Sequence, residues 1–297
     1  MTRRGVQVAL PAVILWCIVA SCSTGRDSTI VVGSKNFTEQ VVLGEILAQQ
    51  LESMTGAHVE RRFYLGGTYI AHQALLAGRI DVYAEYTGTA LTAVLKQPVV
   101  SDPRVAYEKV RAGYKSQFDL DIGPPLGFEN TFAIVVRGED ARQLNLRTLS
   151  DAAPHAREWR AAFGYEFMER PDGFPGLSAA YGLEFATPPR IMDLGLLYRS
   201  LTEGQVDLVA GNSTDGPISA LDLFVLEDDR RYFPPYEAVP VTRTEALRRF
   251  PMFRSALDQL RGQIDASEMR AMNQAVDGDH RNVADVAREF LRELRNN

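Results

Sequence analysis

The chain has almost no cysteine. Of its 297 residues only Cys17 and Cys22 carry a thiol, and both fall in the N-terminal segment. Everything beyond them lacks a disulfide, so its stability must come from buried apolar cores. No cysteine nucleophile survives there either. Histidine is also scarce: His58, His72, His155 and His280 stand apart, without metal-ligand spacing. The sequence contains no Walker-type glycine loop and no Gly-x-Ser-x-Gly elbow. An excess of basic charge is missing too. The net charge is −6, which argues against a nucleic-acid partner. No apolar run reaches the roughly 20 residues of a membrane span.

What is present begins with an address. Arg3-Arg4 precede a mostly apolar stretch from Val8 to Val19, followed by small residues and Cys22. That is the pattern of a secretory leader. Val19-Ala20-Ser21-Cys22 resembles a bacterial lipobox, which implies a leader over 1–21 and lipidation of Cys22 as the first mature residue. Residues 22–28 are small and polar and read as a tether.

The hydrophobic fraction, 45%, is enough for real cores, and the length suits two domains better than one. Thr29–Gly33 predicts a buried strand, 41–51 a helix with Thr38 as its cap, 58–65 a second strand, and Thr68–Ala77 a helix. Gly78 ends that helix, Ile80–Tyr83 predicts a third strand, and Thr87-Gly88-Thr89 a turn. This β-α-β-α-β order argues a parallel sheet. Ligands bind beyond the carboxyl ends of such strands. There Tyr86 offers a π-face and Glu85, Thr87 and Thr89 offer polar contacts. The set suits a small cationic or zwitterionic ligand.

The second half repeats a device. Gly78-Arg-Ile-Asp81 precedes Glu85-Tyr-Thr-Gly-Thr89, and Gly204-Gln-Val-Asp207 precedes Asn212-Ser-Thr-Asp-Gly216. Thr131–Arg137 predicts a strand crossing into a second lobe, and Ala238–Val241 the return. The expected division is 29–132 plus 238–297 for one lobe and 133–237 for the other. Two lobes joined this way can close on a ligand like a clam-shell.

Candidate aromatics at strand ends and turns are Tyr69, Tyr86, Phe132, Phe174 and Tyr198; core packing is the competing role for all but Tyr86. Asn36, Thr38 and Gln40 follow the first strand and can donate to a carboxylate. N-capping is their competing role. Asp81, Glu85, Asp207 and Asp215 could be paired acids of a hydrolase, but no companion base or metal cluster accompanies them.

Seven stretches in order resemble the substrate-binding proteins of osmoprotectant ABC importers. They are Gly33–Gln40, Glu85–Thr89, Gly127–Phe132, Arg170–Leu177, Met192–Tyr198, Gly204–Leu208 and Ser213–Gly216. The resemblance implies an α/β type II periplasmic-binding-protein fold, with two lobes joined by crossing strands around a ligand cleft. It implies a non-enzyme without cofactor that captures a quaternary ammonium compound, such as glycine betaine, carnitine or choline, in an aromatic cage. The partners implied are a permease and a separate ATPase subunit. The protein would be a monomer, lipid-anchored outside the cytoplasm. Tyr86 matches a cage tyrosine, and Gln40 and Thr89 fall where polar contacts are expected. The pattern departs at Phe132 and Phe174, where tyrosine is common, and at Gly211-Asn212, where Ala-Tyr is common. Tyr69 could replace lost aromatic surface. With Asp215 beside Asn212, these changes leave room and an amide for a larger betaine such as carnitine or ergothioneine. The rivals are a receptor of the same fold for another polar solute, with an arginine clamp for which Arg137 and Arg190 are nearest, and an extracytoplasmic hydrolase using Asp81, Glu85 or Asp215.

Overall fold

Runs of β-branched residues become the strands that line up beneath the cleft. The computed structural model describes residues 28–296; Cys22, the expected leader and most of the tether lie outside them. The strands are β1 (Thr29–Gly33), β2 (His58–Arg62), β3 (Val82–Tyr86), β4 (Leu120–Ile122), β5 (Phe132–Arg137), β6 (Ala161–Phe163), β7 (Arg190–Ile191), β8 (Leu208–Asn212), β9 (Leu223–Leu226) and β10 (Ala238–Arg243). They form two five-stranded sheets, ordered β2-β1-β3-β10-β4 and β7-β6-β8-β5-β9. In the first, β1 runs parallel to β2 and β3, while β10 is antiparallel to β3 and β4. In the second, β6 runs parallel to β7 and β8, while β5 is antiparallel to β8 and β9. Thus β5 enters the second lobe, β10 returns to the first, and the crossing segments meet in an antiparallel bridge between Glu129 and Glu237.

Each sheet is covered on both faces by apolar side chains, as a mixed sheet wrapped in helices requires. The helix Thr38–Thr55 packs against the C-terminal helices Phe253–Asp258, Ala266–Asp277 and Val283–Asn296. The repeated device is real in three dimensions. Gly78 and Gly204 both take positive φ, at 64° and 68°, to end their helices. Asp81 then accepts the Val31 N–H at 2.9 Å, and Asp207 accepts the Arg160 N–H at 2.9 Å. Each aspartate also binds an arginine of the crossing strand in its own sheet, Arg243 from β10 and Arg137 from β5.

Several local expectations change. Thr87–Thr89 is not a turn but the start of a helix that widens into a π-helix over Ala90–Val94. The strand before it runs to Tyr86 because β10 pairs with it that far. β8 extends to Asn212 for the same reason, pairing with Phe132 of β5. Thr38 does not cap its helix: Phe37 sits in the capping position without a side-chain bond, and the Thr38 hydroxyl donates to Asp277 at 2.6 Å. The unexpected strands β4, β7 and β9 are the short sheet edges, formed by pairing with a neighbour rather than by any alternation of their own. Among the described residues no helix is long and apolar enough to cross a membrane.

Candidate ligand-binding site

A cavity of about 650 Å³ lies between the two sheets, a size typical of small-molecule sites. The first lobe supplies Lys35, Asn36 and Phe37 after β1, and Tyr86 and Thr89 at the end of β3. The second supplies Glu166, Arg170 and Asn212, and the crossing segments supply Asn130, Phe132 and Tyr236. Most of these follow the carboxyl ends of parallel strands, where open α/β sheets bind ligands.

Tyr86 is held from behind. Its hydroxyl donates to Glu39 at 2.5 Å and accepts from Gln40 Nε2 at 3.0 Å. Burial, with the Glu39 charge, pushes that hydroxyl well above the ordinary tyrosine range. The ring stacks near Phe37, 6.5 Å between centroids at 22°. Over its face sits the Lys35 ammonium, 4.6 Å from the centroid. Lys35 is itself buried and bonds Glu85 at 2.5 Å and Thr68 Oγ1 at 3.4 Å. Glu85 also accepts from the Tyr83 hydroxyl and the Tyr86 N–H, so it is a counter-ion within the wall.

The opposite wall repeats this arrangement. The Arg170 guanidinium lies 5.1 Å from the Phe132 centroid and 5.9 Å from that of Tyr236. It chelates Asp172 at 3.0 and 2.5 Å, and the Tyr236 hydroxyl donates to the same carboxylate at 2.6 Å. Burial pushes the Asp172 carboxyl up, but the Arg170 charge and the converging donors outweigh it and hold it below the usual range. The two arginines nearest to a clamp in sequence terms are elsewhere. Arg137 is spent on Asp207 and on the Leu201 and Val206 carbonyls, and Arg190 is exposed on the edge strand β7.

Hydrogen bonds join the two lobes, among them the Asn273 amide to the Thr214 carbonyl at 2.8 Å. Glu166 accepts the Thr68 N–H at 2.5 Å, at the start of the helix Thr68–Leu76. Gly67 permits that approach, since a Cβ there would lie 2.4 Å from Glu166 Oε1. Glu39 accepts from Asn130 Nδ2 at 2.8 Å and from the Thr214 hydroxyl of the second lobe, besides Tyr86. Burial pushes the Glu39 carboxyl up despite these donors. A carboxyl raised on folding stabilises fully below its unfolded value, near 4.5, and loses that contribution as pH rises through the folded value. Glu39→Gln removes the titration. Melting curves from mildly acidic to mildly alkaline pH should show the wild type losing ground to the variant as pH rises; a constant gap would refute this role for Glu39.

Of the residues singled out by sequence, Asn36, Tyr69, Tyr86, Thr89, Phe132 and Asn212 line the cavity. Tyr69 stands at its rim, and its hydroxyl accepts from Lys96. Gln40, Phe174, Tyr198 and Asp215 stand behind the wall. Gln40 bonds Tyr86, and Phe174 packs on Phe163 and Phe185. The Tyr198 hydroxyl donates to Asp215 at 2.6 Å and occupies the space a Gly211 Cβ would need, 1.8 Å away. Burial raises the Asp215 carboxyl. Sequence reading passed over Lys35, Phe37, Glu166, Arg170 and Tyr236. Lys35, Phe37 and Arg170 sit inside stretches already quoted, so position after a strand was the available signal.

Residues 28–293 match the family described as the substrate-binding domain of ABC-type glycine betaine transport systems. The chain belongs to this family. It is 35% identical to the carnitine transport binding protein OpuCC of Listeria monocytogenes over 279 residues, covering 93% of this chain and 90% of that protein. It is 35% identical to the ergothioneine transport permease/ergothioneine binding protein EgtU of Helicobacter pylori, covering 98% of this chain but 53% of that longer protein. A crystal structure of a glycine betaine/carnitine/choline ABC transporter protein aligns with a TM-score of 0.74 at 35% identity, over 90% of this chain and 98% of that one. These confirm the two-lobed periplasmic-binding-protein fold and a substrate-binding role in an ABC importer. Within this family member the aromatic lining includes Phe37, Tyr86, Phe132 and Tyr236, and an asparagine stands at the end of β8.

Proposed function

We propose that this binding protein captures a betaine, a solute joining a quaternary ammonium to a carboxylate, and delivers it to a permease driven by a separate ATPase. One observation carries the reading: the rings of Phe37, Tyr86, Phe132 and Tyr236 converge from the first lobe and the crossing segments on one cavity. A trimethylammonium has no donor to offer, so a π-face is its natural partner. Lys35 and Arg170 are paired with Glu85 and Asp172 but each keeps an N–H beyond those bonds, and with the Thr89 hydroxyl these are the groups for the carboxylate. Asp81, Glu85 and Asp215 are each spent on internal partners, which supports a receptor over a hydrolase. The protein would act as a monomer, tethered by a lipid on Cys22 outside the cytoplasm, on the periplasmic side in a Gram-negative cell.

Calorimetric titration with glycine betaine, carnitine and choline tests this directly. Heat with none of them would sink the assignment. Tyr86→Ala should lose about 1–2 kcal/mol or more of binding energy, the scale of a desolvated cation–π contact; an unchanged dissociation constant would remove Tyr86 from the cage. Choline, lacking a carboxylate, should bind more weakly than the betaines if Lys35 and Arg170 serve as described.

A further inference from the structure

We infer that Glu39 is a positioning residue that ties the Tyr86 ring to closure of the two lobes, without meeting the solute itself. This rests on the reading of the cavity as a betaine site with Tyr86 in its cage, and adds the means by which capture and closure are linked. Glu39 lies in the first turn of the helix Thr38–Thr55 and is 1% exposed. An acidic side chain at such a place ordinarily serves the end of its own helix. This one is bonded elsewhere: its four donors come from residues 47, 91, 175 and 234 positions along the chain. On Oε1 they are the Tyr86 hydroxyl at 2.5 Å and Asn130 Nδ2 at 2.8 Å. On Oε2 they are the Thr214 hydroxyl and Asn273 Nδ2, the latter at 3.3 Å. A carboxylate offers about four acceptor positions, which these donors fill.

The two oxygens serve different parts of the molecule. Oε1 holds what surrounds the solute. Tyr86 and Asn130 both line the cavity. Gln40 donates to the Tyr86 hydroxyl, so that hydroxyl's own proton is committed to Glu39. The Asn130 N–H bonds the Tyr236 carbonyl at 3.1 Å, which brings in the second crossing segment. Oε2 holds the closed arrangement. Thr214 belongs to the second lobe and is fully buried, and its carbonyl accepts from the same Asn273 amide at 2.8 Å. Thr214 and Asn273 stand outside the cavity lining, as Glu39 does. When the lobes part, Thr214 is withdrawn and Glu39 loses a donor. A buried carboxylate short of a donor is costly, and in a low-dielectric interior the bonds of one network support each other. The favoured arrangement therefore satisfies both oxygens at once. A solute seated on the Tyr86 ring fixes the first half and makes the second easier to complete; closure in turn steadies the ring. Coupling of this kind is reciprocal.

The test is a double-mutant cycle read by calorimetry with glycine betaine and carnitine on the full mature protein. Tyr86→Phe keeps the cage ring and removes only its hydroxyl. Thr214→Val keeps the side-chain shape and removes a hydroxyl that stands outside the cavity. Melting curves confirm that each variant folds. Each single variant should weaken binding by about fivefold, the lower end of the usual coupling between sites. The double variant should lose little more than either single one, because both break the same connection; independent losses would multiply to about twenty-five-fold. A merely structural role for Glu39 would lower the melting points without this pattern in the affinities. Either single variant binding as tightly as wild type overturns the inference, and so do losses that multiply; both outcomes leave the betaine site standing. No heat from the wild-type protein with either solute overturns the site reading itself, and this inference with it.

Discussion

Arg170→Met should cost about 3–5 kcal/mol of stability, the scale of leaving one partner of a buried ion pair alone. Arg170 and Asp172 have side chains 4% and 0% exposed. Their desolvation is repaid by the two-pronged contact between them, by the Tyr236 hydroxyl and by the rings of Phe132 and Tyr236 beside the guanidinium. Methionine keeps the length and packing of the stem but strands the aspartate. Arg170→Met/Asp172→Asn should recover much of the lost stability, since the orphaned charge disappears with its partner. Ligand affinity should stay low in both, because the guanidinium over Phe132 is gone. Denaturant unfolding and calorimetry separate the two effects. A double variant as unstable as the single one would show that the loss came from packing instead.

Gly127→Ala should lower stability by about 3 kcal/mol or more, with the melting point falling by about 6–12 °C for a chain of this size. Gly127 has φ of 123°, where residues with a side chain are strained. A Cβ there would also lie 2.7 Å from the Ile264 carbonyl oxygen and 2.9 Å from Gly262. These are backbone atoms with no side chain to swing away. The neighbours are tied down: Leu126 N–H bonds Ala238 of β10, and Ile264 N–H bonds the Leu126 carbonyl. The substitution therefore strikes where the crossing segment leaves the first lobe. A melting point within a degree or two of wild type would mean that this segment yields more easily than its bonds imply.

The lobes and their order were legible because strong signals carry them. The run Phe132–Arg137 is β-branched and buried, and it can hardly be anything but an interior strand. The repeated Gly-x-x-Asp device showed through because its glycines and aspartates have fixed tasks in both sheets. Tyr86 was legible because polar, helix-starting residues follow it. Phe174 and Tyr198 were legible only as aromatics near turns, and that signal does not distinguish a ring facing the cavity from one packed a layer behind it. Lys35 and Arg170 were hidden for another reason. Their role depends on counter-ions at positions 85 and 172 and on rings at 86, 132 and 236. Periodicity says nothing about such long-range partners.

The bonds from Glu166 to Thr68 and from Glu39 to Thr214 join one lobe to the other. Neither is made with the solute. Any opening that separates these partners leaves each carboxylate to be rehydrated, and the Asn273 bond to Thr214 adds to the same junction. Their weight therefore falls on how long a captured solute stays, while its rate of arrival is set before they form. Such a receptor would hold its cargo until it meets its partner even where the cage alone binds modestly. A partner that prised such bonds apart would shorten that stay and release the solute without competing for it.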